Sequence, residues 1–219
     1  MHERAYVPAL GFDWLTRFYD PLIAISIREK VLKGRLIDQA RIAPGHAVLD
    51  VGCGTGTLAI LAKKRQPSAR VTGLDGDPAV LAIARRKVTR SGVDVELRED
   101  LASATPVFAP GSFDRVVSSL VLHHLTTDEK REALQATRRW LRPDGELHVL
   151  DFGPQQGLYA STVARGIGWL DGAERLRDNW GGRLPLMMQQ AGFACARETG
   201  RALTIFGSVS FYEARAGSQ

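Results

Sequence analysis

The sequence predicts an α/β fold, a mainly parallel sheet covered by helices on both faces, and three observations carry that prediction. Val48-Leu49-Asp50-Val51 reads as a short buried strand that breaks into the alternating glycines of Gly52-Cys53-Gly54-Thr55-Gly56. The helix-period run Leu58-Ala59-Ile60-Leu61-Ala62 follows at once; strand, glycine turn and helix in that order make the first βα unit of a nucleotide-binding sheet. Downstream, strand-like and helix-like segments alternate to about residue 151, the pattern of parallel strands joined by crossover helices. A chain of 219 residues, 44% hydrophobic and 24% charged, suits one domain with a sizeable core.

Residues 1–40 are rich in aromatics (Tyr6, Phe12, Trp14, Phe18, Tyr19) and then show a helical pattern from about Pro21 to Ala40, with Ile23, Ile27, Val31 and Leu36 near helical spacing. We read them as an N-terminal helical cap over the carboxyl end of the sheet. The core, residues 41–152, places strands near 47–51, 70–75, 93–98, 113–119 and 145–151. Helices fall near 56–65, 78–91 and 128–141, with only a short or irregular crossover near 100–108. Pro78 after Asp77 is a helix-start signal, and Asp128 and Glu129 suit the positive end of the next helix. Residues 153–183, glycine-rich with Tyr159, Trp169 and Trp180, read as a helical insertion. In residues 184–219, Leu184–Ala191 is a closing helix ending at Gly192, and Phe193–Thr199 and Leu203–Tyr212 are strands joined by a turn at Gly200. Strands that close in sequence must be antiparallel neighbours, because a parallel crossover needs about a dozen residues.

The formal net charge of +5 raises the question of a nucleic-acid partner, and its distribution answers against one. The excess is spread along the chain. The visible clusters, Lys63-Lys64-Arg65 and Arg85-Arg86-Lys87 with Arg90, fall toward the ends of helices, where cations complement the dipole on the face away from the ligand crevice. No apolar run reaches the roughly 18–20 residues of a membrane span, and Met1-His2-Glu3-Arg4 opens with no apolar signal region, so a cytoplasmic location is expected. Cys53 and Cys195 lie in dissimilar places and form neither a disulfide framework nor a metal set.

Asp50 is the discriminating residue of the glycine segment. A dinucleotide fingerprint has its first glycine there and receives a pyrophosphate at the helix N-terminus, which a carboxylate would repel. The acid suits a ligand with a positive end, as S-adenosylmethionine has. Here the chain resembles the class I S-adenosylmethionine-dependent methyltransferases. Val71-Thr72-Gly73-Leu74-Asp75 resembles the family's second strand and Glu99-Asp100-Leu101 its adenine-side segment. Phe113–Ser119 followed by Leu122-His123-His124-Leu125 resembles the fourth strand and its loop, and Leu141–Leu147 the turn into the fifth. Phe12–Asp20 is similar, more loosely, to the entry segment of small-molecule methyltransferases. The resemblance implies a Rossmann-like three-layer αβα sandwich with a seven-stranded sheet, the last strand inserted antiparallel.

The same resemblance assigns roles. Asp50, Gly52 and Gly54 form the methionine end of the cofactor site. Asp75, with Gly76, takes the ribose hydroxyls, unless Asp75-Gly76-Asp77-Pro78 is only a turn and helix cap. Asp100 takes the adenine amino group, unless it is an ordinary loop acid, and Leu101 donates its backbone amide. Ser118 borders the methyl group. Two adjacent histidines on a helix point about 100° apart, so both cannot serve one site equally; either they pack or cap structurally, or one faces the acceptor, and then we favour His123. Asp151 either orients an amine or hydroxyl or bonds the backbone of Phe152-Gly153-Pro154. Tyr19 closes over the cofactor carboxylate; Leu120, Trp169 and Trp180 wall an acceptor pocket, with plain core packing as the alternative for the tryptophans.

The expected activity is methyl transfer from S-adenosylmethionine, leaving S-adenosylhomocysteine, by in-line displacement onto a small-molecule acceptor whose C, N, O or S atom is left open. The chemistry asks for alignment and exclusion of water, with a base where the acceptor loses a proton; no metal is expected. The group containing the ubiquinone and menaquinone C-methyltransferases is the nearest in character. No Asn-Pro-Pro-Tyr segment follows the fourth strand, against amino-methylation of adenine. The alternatives are an NAD-dependent oxidoreductase and a non-catalytic S-adenosylmethionine-binding protein.

Overall fold

The computed structural model of the chain describes residues 29–103, 107–155, 173–204 and 207–217. Seven strands form one sheet: β1 Ala47–Val51, β2 Arg70–Asp75, β3 Glu96–Glu99, β4 Phe113–Ser119, β5 Leu141–Phe152, β6 Cys195–Thr204 and β7 Gly207–Arg215. Their spatial order is β3-β2-β1-β4-β5-β7-β6. Neighbours among the first five are parallel, and β7 runs antiparallel to both β5 and β6. Only two residues separate β6 from β7, and a link that short permits a hairpin and nothing else. The antiparallel last strand is as expected.

Six helices are described: α1 Glu29–Ala40, α2 Thr57–Arg65, α3 Pro78–Ser91, α4 Thr127–Trp140, α5 Ala173–Trp180 and α6 Leu184–Gln190, with a 3₁₀ turn at Leu122–His124. All five residues of β1 are buried, as a central parallel strand with both faces covered must be. One core packs Leu49, Val116 and Val149 against Leu134 and Trp140 of α4 and Met188 of α6. The other packs Val48, Val117 and Phe211 against Leu36 of α1 and Leu58 of α2. Alternation along β1 therefore sends Leu49 to one layer and its neighbours to the other.

Local signals explain the helix starts. Asp77 caps α3 by accepting from the amides of Ala79 and Val80 at 2.8 and 3.3 Å. α4 begins at Thr127, one residue before the expected start, because Thr126 and Glu129 form a reciprocal capping box; such caps stabilise by about 1 kcal/mol.

Four expectations are corrected. The described part of the N-terminal cap, α1, lies along a sheet face and not over the carboxyl end of the strands, because Leu32, Leu36, Ile37 and Ala40 are all buried in the α2-side core. Residues 1–28 lie outside the described residues. β3 starts at Glu96, later than the expected residue 93. β6 does not turn at Gly200 but runs through it to Thr204, with a register shift between Glu198 and Gly200. Gly200 serves a close approach there, since a Cβ would meet the Arg35 guanidinium at 2.2 Å; that guanidinium lies over the Phe211 ring, 4.4 Å from its centroid. Finally, Lys87 is not a solvated helix end. Ala84 packs beneath Gly56, so Lys87, one turn on, reaches the glycine turn described below.

At the opposite end of the sheet a buried polar cluster fixes α1. Glu146 accepts from Arg41 at 3.0 Å and contacts His148 at 3.2 Å. The hydrogen bond from His148, opposed by burial and aided by Arg41 and Arg115, pulls the Glu146 carboxyl down to about 2. With Glu146 ionised, His148 Nε2 must donate, leaving Nδ1 to accept from the Gln39 amide at 3.2 Å. Gln39 also donates to Tyr212 O at 3.0 Å.

Candidate active site

The glycine turn hangs from β2. The amides of Gly52 and Cys53 both donate to Leu74 O, at 2.8 and 2.9 Å, and the Gly54 amide donates to Asp75 Oδ2 at 2.8 Å. Asp75 Oδ1 accepts from Asp77 N at 3.0 Å. Burial, partly offset by these amides, raises the Asp75 carboxyl. Gly52 has φ +66, and a Cβ there would lie 2.4 Å from a Val121 methyl, so neither the backbone nor the space admits a side chain. A second tie comes from α3, where Lys87 Nζ donates to the hydroxyls of Thr55 and Thr57 at 2.9 and 2.8 Å.

Asp50 stands at the base of this turn. It is 1% exposed, and its Oδ2 has no hydrogen-bond partner. Burial pushes its carboxyl up to about 7, against the pull of Lys33 and the Ala59 amide. Gly54 has open space where a Cβ would project. A buried acid with one bare oxygen beside an open glycine cradle fits a ligand that brings a cationic donor, and it fits poorly with a phosphate.

Further along the edge of the crevice, Asp100 is exposed and its Oδ1 accepts from Leu101 N at 2.8 Å. The Leu101 side chain, 48% exposed, lies across Gly76, with its Cδ2 2.4 Å from where a Cβ would sit. Arg98, Glu99, Asp100 and Val107 line a cavity of about 370 Å³ beside it. Ser118 is buried and its hydroxyl donates to Val51 O at 2.9 Å, so its proton is already committed to joining β4 to β1. The neighbouring Ser119 has a buried hydroxyl without a partner.

His123 and Asp151, 28 residues apart in sequence, meet at 2.8 Å between Nδ1 and Oδ1. Burial would raise the Asp151 carboxyl, but the His123 ring and the Phe152 amide outweigh it and hold the acid below the usual range. The carboxylate is therefore the acceptor and Nδ1 the donor. Asp151 Oδ2 takes the amides of Val121 and Leu122 at 3.1 and 2.8 Å, and Oδ1 also takes Phe152 N at 2.7 Å. Of the two sequence readings of Asp151, the bond to the Phe152 backbone is present, and the carboxylate orients the His123 ring as well. His124 lies against His123 with centroids 3.9 Å apart and ring planes tilted by 44°. Burial, with His123 and Arg175 nearby, pulls the His124 imidazole down to about 3.

Leu120, between β4 and this turn, has φ +59, a left-handed conformation that costs a residue with a side chain roughly 1–2 kcal/mol. It is half-buried and packs on the α2-side core. Trp180 also packs on that core, which favours the structural alternative for it. Tyr19 and Trp169 lie outside the described residues.

Sequence reading missed the groups behind the pair. Asn179 on α5 is fully buried and donates to Asp151 Oδ1 at 3.2 Å and to Phe152 O at 3.3 Å. Asp178 accepts from Thr127 at 2.7 Å and lies 3.6 Å from Lys130 Nζ. Lys130 is fully buried and donates to Arg175 O, while Arg175 donates to His124 O. One signal was available: Lys130 precedes Ala133, Leu134 and Thr137 by three, four and seven residues, which places it on the buried stripe of α4. Among the described residues no group of three His, Cys, Asp or Glu could hold a metal ion, and no helix is long and apolar enough to cross a membrane.

Comparison with known proteins adds four findings. A family model described as a methyltransferase domain matches residues 48–145. Demethylmenaquinone methyltransferase of Thermus thermophilus is 41% identical over 120 residues, a segment covering 55% of this chain and only about half (53%) of that relative. Ubiquinone biosynthesis O-methyltransferase of Pseudomonas paraeruginosa is 34% identical over 169 residues, covering 75% of this chain and 69% of the relative. Among solved structures, phosphoethanolamine N-methyltransferase 2 of Haemonchus contortus with S-adenosyl-L-methionine superposes with a TM-score of 0.75 at 15% identity, over 96% of this chain and 59% of that one. At that identity the likeness is one of fold.

Proposed function

The chain belongs to the class I S-adenosylmethionine-dependent methyltransferases, and from that membership we propose that it transfers a methyl group from S-adenosylmethionine to a small-molecule acceptor. The observation that carries the reading is the bare Asp50 Oδ2 beneath the glycine turn, an acid waiting for a cationic donor where a dinucleotide enzyme needs room for phosphate. The bound donor supplies a methyl group already activated on a sulfonium. Asp50 and the Gly52–Gly54 backbone would hold its amino-acid end. Asp75 would hold the ribose, and Asp100, whose Oδ1 already takes the Leu101 amide, would accept from the adenine amino group.

The chain's own contribution at the acceptor is a proton sink. His123 donates from Nδ1 to Asp151, which leaves Nε2 as the ring's acceptor. An acceptor hydroxyl, amine or thiol that becomes methylated gives its proton to Nε2, and Asp151 stabilises the resulting imidazolium, as in other His–carboxylate pairs. His124, pulled down to about 3, is a poor base and cannot take that part. Two of the relatives are named for menaquinone and ubiquinone, and Phe152, edge-on to the His123 ring with centroids 4.8 Å apart, gives the pair an apolar neighbour that suits a partly apolar acceptor. The cytoplasm is the compartment we infer for such an activity.

The test is methyl transfer from radiolabelled S-adenosylmethionine across a panel of phenols, amines, thiols and quinols, alongside calorimetry with S-adenosylhomocysteine and NADH. Product with one acceptor class and binding of S-adenosylhomocysteine alone are expected. Binding of NADH in its place would overturn the reading, and tight binding with no turnover on any class would favour a non-catalytic binding protein.

A further inference from the structure

We propose that Asn179 is a positioning residue that sets the proton affinity of His123 through Asp151, so that the docking of α5 tunes the base. The inference rests on the reading of His123 and Asp151 as a proton-accepting pair.

Asn179 is fully buried. Its Nδ2 donates to Asp151 Oδ1 and Phe152 O, while its own Oδ1, also buried, has no partner. The opposite orientation of the amide would press that oxygen against the Asp151 carboxylate and the Phe152 carbonyl, three acceptors with no proton among them. The orientation that leaves Oδ1 bare is thus dictated by Asp151 rather than by the amide's own satisfaction. A side chain present only to fill space or fasten a helix would not need an uncompensated oxygen in the interior.

The pattern of donors shows what Asn179 adds. Asp151 accepts from three backbone amides, those of Val121, Leu122 and Phe152, and from His123. Those donors belong to the segment after β4 and to β5 itself. Asn179 alone among the described donors comes from a separate element, and it binds Oδ1, the oxygen that holds His123. Among the described residues, the charged and titratable groups around the ring are Asp151 on β5, His124 tilted against it, Arg175 on α5 bonded to His124 O, and Lys130 on α4 with Asp178 on α5. A positive N–H end placed against Oδ1 weakens the field that stabilises an imidazolium. Removing it makes His123 hold its proton more tightly.

The test uses the full chain saturated with S-adenosylhomocysteine, with ring ¹⁵N resonances of His123 assigned by His123→Gln and followed from pH 5 to 9. Asn179→Leu, close in shape and without a donor, and Asn179→Ala are expected to raise the His123 midpoint while S-adenosylhomocysteine affinity stays within about twofold. A midpoint unchanged to within about 0.2 unit in either folded variant overturns the proposal. Should neither variant fold, the wild-type protein decides: the Asn179 side-chain amide must shift with the His123 midpoint, and a flat amide overturns the proposal. Because no step depends on turnover, failure here is distinct from failure of the base assignment, which is read from His123→Gln turnover.

Discussion

Asp75 and Gly54 are joined by a 2.8 Å hydrogen bond in which the acid ending β2 accepts an amide proton from the glycine turn after β1. The residue assigned to the ribose therefore also holds the turn that faces the donor's other end. Binding and scaffold share one carboxylate.

Asp75→Ala should therefore weaken S-adenosylhomocysteine binding doubly. Loss of charge-assisted hydrogen bonds costs about 1.5–3 kcal/mol, or roughly ten- to a hundredfold in affinity. Asp75→Asn, which keeps one acceptor, should lose less. Calorimetry on the two variants checks the order, and equal affinity in all three proteins would remove Asp75 from the site.

Asp50 predicts a pH dependence opposite to that of most carboxylates. Its folded value, about 7, lies above the unfolded value of about 3.9, so the folded state binds the proton more tightly. Stability of the ligand-free protein should fall as pH rises through that window, by at most about 1.4 kcal/mol per unit. Asp50→Asn should flatten this part of the profile in thermal melts. Affinity for S-adenosylhomocysteine should climb toward pH 7 in wild type and not in the variant.

Glu146 runs the other way. Its folded value is depressed to about 2, so its contribution is complete above the unfolded value near 4.3 and is lost as pH falls toward 2. Acid titration of Glu146→Gln, followed by circular dichroism, should show a shallower loss of structure between those limits, with a lower starting stability at neutral pH.

Gly52→Ala should destabilise without touching chemistry directly. Left-handed backbone costs about 1–2 kcal/mol for alanine, and Val121 must also move from a 2.4 Å overlap. In a chain of this size each kcal/mol lowers the melting temperature by about 2–4 °C. A melt within a degree of wild type would show that the turn can relax.

His123→Gln should lower kcat by about 10²–10⁴-fold, the usual contribution of a positioned base, with little change in S-adenosylhomocysteine affinity. Asp151→Ala should do more harm, because it strands three backbone amides and Nδ1 in the interior, and unpaired buried donors cost about 1–3 kcal/mol each. Full turnover in His123→Gln with an identified acceptor would place the proton elsewhere.

Much of this architecture was legible in the chain. β1, β2 and β4 fall where residues 47–51, 70–75 and 113–119 predict them, since buried parallel strands are continuous apolar runs with abrupt ends. Edges were less legible. β6, partly exposed, carries Arg197, Glu198 and Arg201, and its Gly200 signals a turn when read alone; the crossing Arg35 that explains it comes from 165 residues earlier. In the candidate site, Asp50 and Asp75 stood out because they adjoin glycines. His123 and Asp151 were noted singly, but their contact is a product of the β4–β5 pairing. Asn179 was invisible as a functional group, because a polar residue in a helical pattern reads as solvated until the partner that buries it is known, and Lys130 was marked only by its place on the apolar stripe of α4.

The link from Gln39 to Tyr212 spans 173 positions and has a consequence for synthesis. α1 leaves the ribosome well before β7, the strand that bears Phe211 and Tyr212. At about 5–20 residues per second, Gln39 waits on the order of ten seconds or more for its partner on β7. During that interval the core that Leu36 shares with Val209 and Phe211 is unfinished, so newly made chains are the form most exposed to chaperone capture and to aggregation.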